Sequence, residues 1–309
     1  GKNIIVGLPG RPSEQTLRLV RTSAVMRMRP VLAIAGDAGS LTPAKVASID
    51  KQQKEAQKSA SPSASASPSA SPSPSTSATP TPDPKATYST EELKKVAREK
   101  ADENHDGKIS DQPKSKPTNA SDADNWRTEK LTYDALVLDC TKPSSKLNIV
   151  DDPKKPLVAC DRSRGQATKY ILGPAEISGT ELKSANSGLE ADSRGQTTNQ
   201  WVVSLTFNAD GTKKFSELSK RLLTYRDQAS AAGAQGAQNP QAQHLGDKAQ
   251  FAIVLDGLTV MASGFNETVH SPITDGRVQI TGHFNQNQAN TLANQLSFGS
   301  LPLSFTVQS

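Results

Sequence analysis

Apolar and polar positions fall into blocks along this chain, and the blocks at its two ends share one pattern. An apolar run (Ile4-Ile5-Val6) and a Pro9-Gly10 turn precede a helical stretch that starts at Ser13. Its apolar stripe is Leu17, Val20, Ala24 and Met28, and Arg29–Ile34 then reads as a strand. Arg277–Val307 repeats the order: an extended Val278–Gly282, a helical stretch from Asn285 with Ala289, Leu292, Ala293 and Leu296 on one face, and an extended Leu301–Phe305. Ser13 to Pro30 and Asn285 to Pro302 are both 17 positions. Ser13 and Asn285 are residues whose side chains accept from the free N–H groups of a first helical turn. Two β-α-β halves at the chain ends predict one sheet-and-helix platform, with residues 37–275 inserted between them.

Within the insertion, Pro43–Lys58 predicts a weak helix with little apolar stripe. Residues 59–84 are Ser, Ala, Pro and Thr apart from Asp83, a composition that buries too little to offset chain entropy and predicts an extended spacer. Ser89 caps a charged helix over Thr90–Ala101, acidic early and basic late as the helix dipole favours. Apolar density rises from Tyr133. Strands are predicted at Ala135–Asp139, Leu157–Cys160, Tyr170–Leu172 and Trp201–Phe207, and a helix over Thr212–Leu223. Gln, Ala and Gly dominate 226–249, which reads as a flexible insertion. Phe251–Leu255 and Leu258–Ala262 form a hairpin around Asp256-Gly257.

Hydrophobic residues make up 34% of the 309 and aromatics 4%, so part of the chain is expected to build no core. The net charge of +5 is dispersed, without the basic aromatic-interleaved patch that would indicate nucleic acid. No run of 18 apolar residues is present, so this stretch is not itself expected to span a membrane; its start at Gly1, in mid-pattern, reads as a segment of a longer protein. Cys140 and Cys160 each close an apolar run across a short loop, which predicts a disulfide and an oxidising, extracytoplasmic compartment.

Asp102, Asn104 and Asp106 take the first, third and fifth positions of an EF-hand-type calcium loop, with Gly107 at the sharp turn and Ser110 as a further oxygen. Position twelve holds Pro113 instead of the bidentate Glu. Calcium binding and a plain Asp/Asn/Gly turn are both readings of this loop, and no other cofactor is expected. No nucleophile elbow, phosphate loop or His-x-x-x-His pair is present, so an enzyme is not expected.

Seven motifs in order carry a family resemblance: Tyr170-Ile171-Leu172-Gly173-Pro174, Trp201–Phe207, Gly211-Thr212-Lys213-Lys214-Phe215, Phe251–Gly257, Asp275–Gly282, Leu292–Leu296 and Gly299–Pro302. Together they resemble the large extracytoplasmic domain of SecD, a membrane subunit of the bacterial protein-export machinery. Asn3–Gly10 and Met28–Leu32 look like the same family's base, and the Ser/Pro-rich insert looks like a high-GC Gram-positive elaboration. The resemblance implies an α+β fold: a split ferredoxin-like base, an inserted α+β head, and here a long disordered insert. The divisions expected are 1–36 (base, first half), 37–132 (low-complexity linker with a short helix), 133–275 (head) and 276–309 (base, second half). It also implies partners (SecF, the SecYEG channel and exported preproteins), flanking transmembrane helices outside this segment, and proton-driven assistance of export. Phe251, Met261 and Phe265 are the expected preprotein contacts, and Gly36 and Gly276 the expected hinges between head and base. The alternative is a structural or adhesion module of the cell envelope, its stalk stiffened by calcium.

Overall fold

The computed structural model describes residues 25–35, 37–59, 83, 86–142, 151–161, 166–191, 195–234 and 239–299. The Ile4–Val6 run, the helix from Ser13, Gly36, most of the Ser/Pro spacer and the Leu301–Phe305 run lie outside the described residues.

β1 (Met26–Ala35) is the axis of the larger sheet. Its Met26–Pro30 half pairs antiparallel with β7 (Gln250–Leu255), while Val31–Ala35 pairs with β3 (Thr168–Leu172). β2 (Leu157–Asp161) lies outside β3, β8 (Leu258–Gly264) lies outside β7, and the short β4 (Ile177–Ser178) joins β1 beside β3. The change of partner falls where Pro30 removes a ladder donor and a bulge shifts the register at Val31 and Ala33. β2 and β8 come into contact, so the sheet curls towards closure around Val31, Leu157, Ala159, Tyr170, Leu172, Ala252, Val254 and Ala262.

The residues alternating with these face a second, larger core. Phe251, Ile253 and Leu255 of β7 meet Phe215, Leu218 and Leu222 of helix α5 (Ala209–Gly233). A three-stranded antiparallel sheet, in the order β5 (Leu182–Ala191), β6 (Thr197–Phe207), β9 (Arg277–Phe284), completes that core with helix α7 (Gln286–Gly299) on its inner face. Asn285 and Gln288 cap α7 reciprocally.

Among the described residues β1 and β9 belong to different sheets, so the common platform expected from the end-to-end repeat is not what they form. β1 is buried along Met28–Leu32 and bonded along both edges, which makes it a central strand of the head sheet.

A helical arm occupies much of the expected linker. It comprises α1 (Pro43–Ser59), α2 (Thr90–Ala101), α3 (Ala123–Trp126) and α4 (Glu129–Val137); α2 packs on α4, and α4 lies beside β2 and β3. α4 replaces the strand predicted from Ala135. Thr128 caps it by accepting from Leu131 N, and that local bond decides for helix over an apolar run too short to specify a strand. The stretch predicted as a flexible insertion is largely helical too. α5 runs on to Gly233, and α6 (Pro240–Lys248) packs back on it, with Lys248 Nζ 4.5 Å from the Tyr225 ring centre.

Candidate functional site

Four phenylalanines stack where the larger sheet meets α5. Phe215 lies 5.2 Å from Phe207, 5.7 Å from Phe251 and 6.1 Å from Phe265, ring centre to ring centre. Phe251 and Met261 are buried in this core, and Phe265 packs on its margin. Of the accessible surface expected at these three residues, Phe251 and Met261 are interior packing, because alternation along β7 and β8 turns them inward onto α5.

An apolar surface does emerge at the far end of the three-stranded sheet. Leu189 of β5 stands opposite Trp201 of β6, and Trp201 opposite Phe284 of β9. Cross-strand partners share a face, so the three side chains form one row, on the face that carries Val203, Leu205 and Ile280 inward. Trp201 and Phe284 are partly buried against the core, while Leu189 is 42% exposed, a large apolar side chain open to solvent. β5 is an outer strand of its sheet, with no further strand beside it among the described residues. Ser187 Oγ and Asn290 Oδ1 form a hydrogen bond, and Ser297 Oγ donates to Ala185 O at 3.0 Å, which fixes α7 along β5 and leaves the Leu189 end uncovered. Leu189 was missed because Ser184–Gly195 is polar and Gly-punctuated. The signal that could have found it was Trp201, whose half-buried position in β6 required an apolar partner.

The remaining expected residues have local roles. Asp102 accepts from Asp106 N at 3.2 Å and from Gly107 N at 2.8 Å, Asn104 from Asp106 N at 2.9 Å, and Asp106 from Lys108 N at 2.8 Å. These are Asx-turn bonds, and Glu129 at the start of α4 ties both ends of the loop by accepting from Glu103 N and Ser110 N. No group of three or more His, Cys, Asp or Glu among the described residues is arranged to hold a metal. Cys140 and Cys160 are bonded, with Cα atoms 5.4 Å apart. Gly276 has φ +70°, its carbonyl accepts from Phe207 N, and a Cβ there would stand 2.2 Å from Thr212 Oγ1. It is a tight corner packed on α5.

Beside the start of α5 lies a polar groove of about 500 Å³, lined by Glu176, Glu181, Asp210, Lys213, Lys214 and Glu217. Half of its lining charges are paired: Lys214 with Glu181, and Glu176 with Arg221. Burial pushes the Glu181 carboxyl up, but the bonds from Lys214 and Ser178 outweigh it and hold the group below the usual range. Among the lining residues there is no nucleophile–base pair. No helix of the described residues is long and apolar enough to cross a membrane.

Residues 157–303 match the family model described as SecDF, P1 head subdomain, a stretch that runs through β9 and α7. Protein translocase subunit SecD of Streptomyces coelicolor is 37% identical over 186 residues, covering 58% of this chain and 27% of that protein. SecD of Mycobacterium tuberculosis is 34% identical over 158 residues, covering 50% of this chain and 22% of its own length. The chain thus spans about a quarter of the length of the curated relatives it matches. A solved SecDF chain, "Structure and function of a membrane component SecDF that enhances protein export", overlaps 98% of this chain and 78% of its own at 20% identity and a TM-score of 0.30, too low to carry a correspondence between elements.

Proposed function

We propose, from the match of residues 157–303 to the SecDF P1 head model and the likeness to SecD subunits, that the chain is the extracytoplasmic part of a SecD-type subunit, of the high-GC Gram-positive kind, that holds exported preprotein as it emerges from the SecYEG channel. The role is non-enzymatic. It is exercised together with SecF, within a membrane protein whose other segments supply the transmembrane helices and the coupling to the proton gradient.

The observation that carries the binding step is the Leu189–Trp201–Phe284 row at the end of an outer strand. An unfolded chain is recognised through its backbone and occasional apolar side chains, not through a fixed sequence. A strand edge offers backbone N–H and C=O groups to any extended segment, and pockets or rows along it select alternate side chains. β5 provides such an edge, and the row provides an aromatic surface on which an incoming apolar side chain is desolvated. The likeness to SecD subunits does not favour the envelope-adhesion reading.

The test is site-specific photo-crosslinking in the full-length membrane protein with a stalled secretory substrate. Crosslinks to the emerging chain are expected from Leu189 and not from the buried Met261. Absence of any crosslink from Leu189, with substrate engaged in the channel, would overturn the assignment of this surface.

A further inference from the structure

The helical arm has its own interior. Its buried apolar side chains are Leu41, Ala97, Ala101, Ala123 and Leu131, and none of them belongs to either core of the sheets. Its internal bonds are dense. Leu41 N donates to Leu136 O, Cys140 N to Ala38 O, Trp126 Nε1 to Asn119 O and Lys130 N to Ser110 O, while buried Glu129 accepts from Glu103 N and Ser110 N. Lys100 pairs with Asp50 at 2.6 Å, joining α2 to α1.

The seam between arm and sheet is different in kind. Lys169 of β3 donates from Nζ to Gly39 O at 2.9 Å and to Ala135 O at 2.7 Å. Lys155 pairs with Asp111 at the surface. Ala120 is seated so closely on Gly173 that a Cβ there would stand 2.0 Å from its carbonyl oxygen. One covalent link crosses the seam: the bond from Cys140, just beyond α4, to Cys160 in β2, both buried.

We propose that the arm is a separate folding unit latched to the head sheet by the Cys140–Cys160 bond, so that the thiol–disulfide state of this one pair sets whether the arm is docked. A body that shares no apolar core with its neighbour gains little from the contact itself, since apolar burial is the main favourable term. A covalent link makes docking intramolecular and raises the effective concentration of the weak polar seam. Opening the latch takes two electrons and two protons from an external dithiol. Two thiols remain on Cys140 and Cys160, and the donor leaves as a disulfide. The freed arm uncovers Gly173, and Lys169 loses its two carbonyl partners and surfaces as a solvated ammonium. An oxidising compartment makes the closed state the resting one, and the burial of both sulfurs slows attack by an external dithiol.

Hydrogen exchange by mass spectrometry on the full chain, oxidised wild type against Cys140→Ala/Cys160→Ala, tests this. Amides of β3 facing the seam and of α4 are expected to exchange at least tenfold faster in the double variant, with β7 and the Met26–Pro30 half of β1 unchanged. Unchanged protection at α4 and β3 overturns the proposal, because the arm then docks without the bond. An equal loss at β7, or failure of the double variant to fold, also overturns it, because the bond then holds one cooperative unit. A second readout needs no substitution: wild type treated with a dithiol, with both thiols confirmed by alkylation, should become sensitive to protease between α4 and β2 while 166–299 stays intact. Resistance there in the fully reduced chain again overturns the latch.

Discussion

Arg29 is a fully buried arginine, and its surroundings explain how the sheet tolerates it. Its guanidinium donates to Lys155 O at 2.8 Å, Gly173 O at 2.8 Å and Asp152 O at 2.7 Å, and it pairs with Asp151, which also meets Arg27 at 2.7 Å. Burial pulls the guanidinium below its ordinary pKa, while Asp151 acts against that. Removing Arg29 leaves Asp151 with Arg27 alone and takes the donor from three carbonyls, and breaking such a buried set costs about 3–5 kcal/mol. Arg29→Met is therefore expected to lower the melting temperature by roughly 10 °C, read by calorimetry, and to loosen the Asp151–Lys155 loop; a shift within error would show that the cluster is not holding that loop. The sequence offered Met26-Arg27-Met28-Arg29 as simple alternation. Nothing in it disclosed that the second arginine is interior, because its partners lie more than 120 positions away. The hairpin turn was legible, since Asp256 and Gly257 both take positive φ, 49° and 75°, as a tight two-residue turn requires.

Elements were legible wherever local chemistry decided them. Ser89 caps α2 as the sequence announced, and Glu92 makes the cap reciprocal. The hairpin strands and β6 follow from alternation. Two stretches were read wrongly for a common reason: residue composition was weighed above helix propensity and capping. Ala-rich Gln228–Gly233 extends α5 because alanine costs least in a helix. α6 is held by Asn239, which accepts from Gln241 N at 3.0 Å, and by Asp247, which accepts from Ile34 N on β1 at 3.0 Å. At the scale of the arm, Lys169 predicts a pH dependence. Burial lowers its pKa from 10.5 to about 8, with Lys45 adding to that and Asp37 and Asp139 opposing it. The docked state therefore favours the neutral amine. Docking is expected to tighten as pH rises from about 8 towards 10.5, and the full cost of the buried ammonium applies below about 8. Urea unfolding followed at Trp126, in a Trp201→Phe background, should show a midpoint that rises over that interval, and Lys169→Met should flatten it. A midpoint independent of pH in the Lys169 protein would contradict the link. On the same assay, millimolar calcium is expected to leave the midpoint unchanged, because the oxygens of Asp102, Asn104 and Asp106 already serve backbone N–H groups of their own loop. A rise on adding calcium would make the loop a metal site.

At the scale of the whole molecule, the ordered motifs pointed to the family whose head model matches residues 157–303, whereas the repeat at the chain ends did not yield the sheet topology. Similar β-α-β spacing says that a helix can cross a strand, but not which edge the strand finds. β1 met free edges on both β3 and β7, and burial of Met28–Leu32 on both faces outweighed any pairing with β9. The assembled molecule has two bodies of unequal strength. The sheets share a core that includes Phe215, Leu218, Ile253, Leu205 and Leu296, while the arm rests on a few alanines and leucines. Small bodies bury a smaller fraction of their surface and are correspondingly marginal. The two tryptophans divide between the bodies, Trp126 in α3 and Trp201 in β6. In single-tryptophan proteins (Trp201→Phe to report the arm, Trp126→Phe to report the sheets) the arm is expected to unfold at lower urea than the sheets, even with the Cys140–Cys160 bond intact. A latch limits how far the arm can travel, but it does not supply the core the arm lacks. Coincident midpoints in the two proteins would mean that the polar seam couples the bodies more strongly than their separate interiors suggest, and the chain would then unfold as one unit.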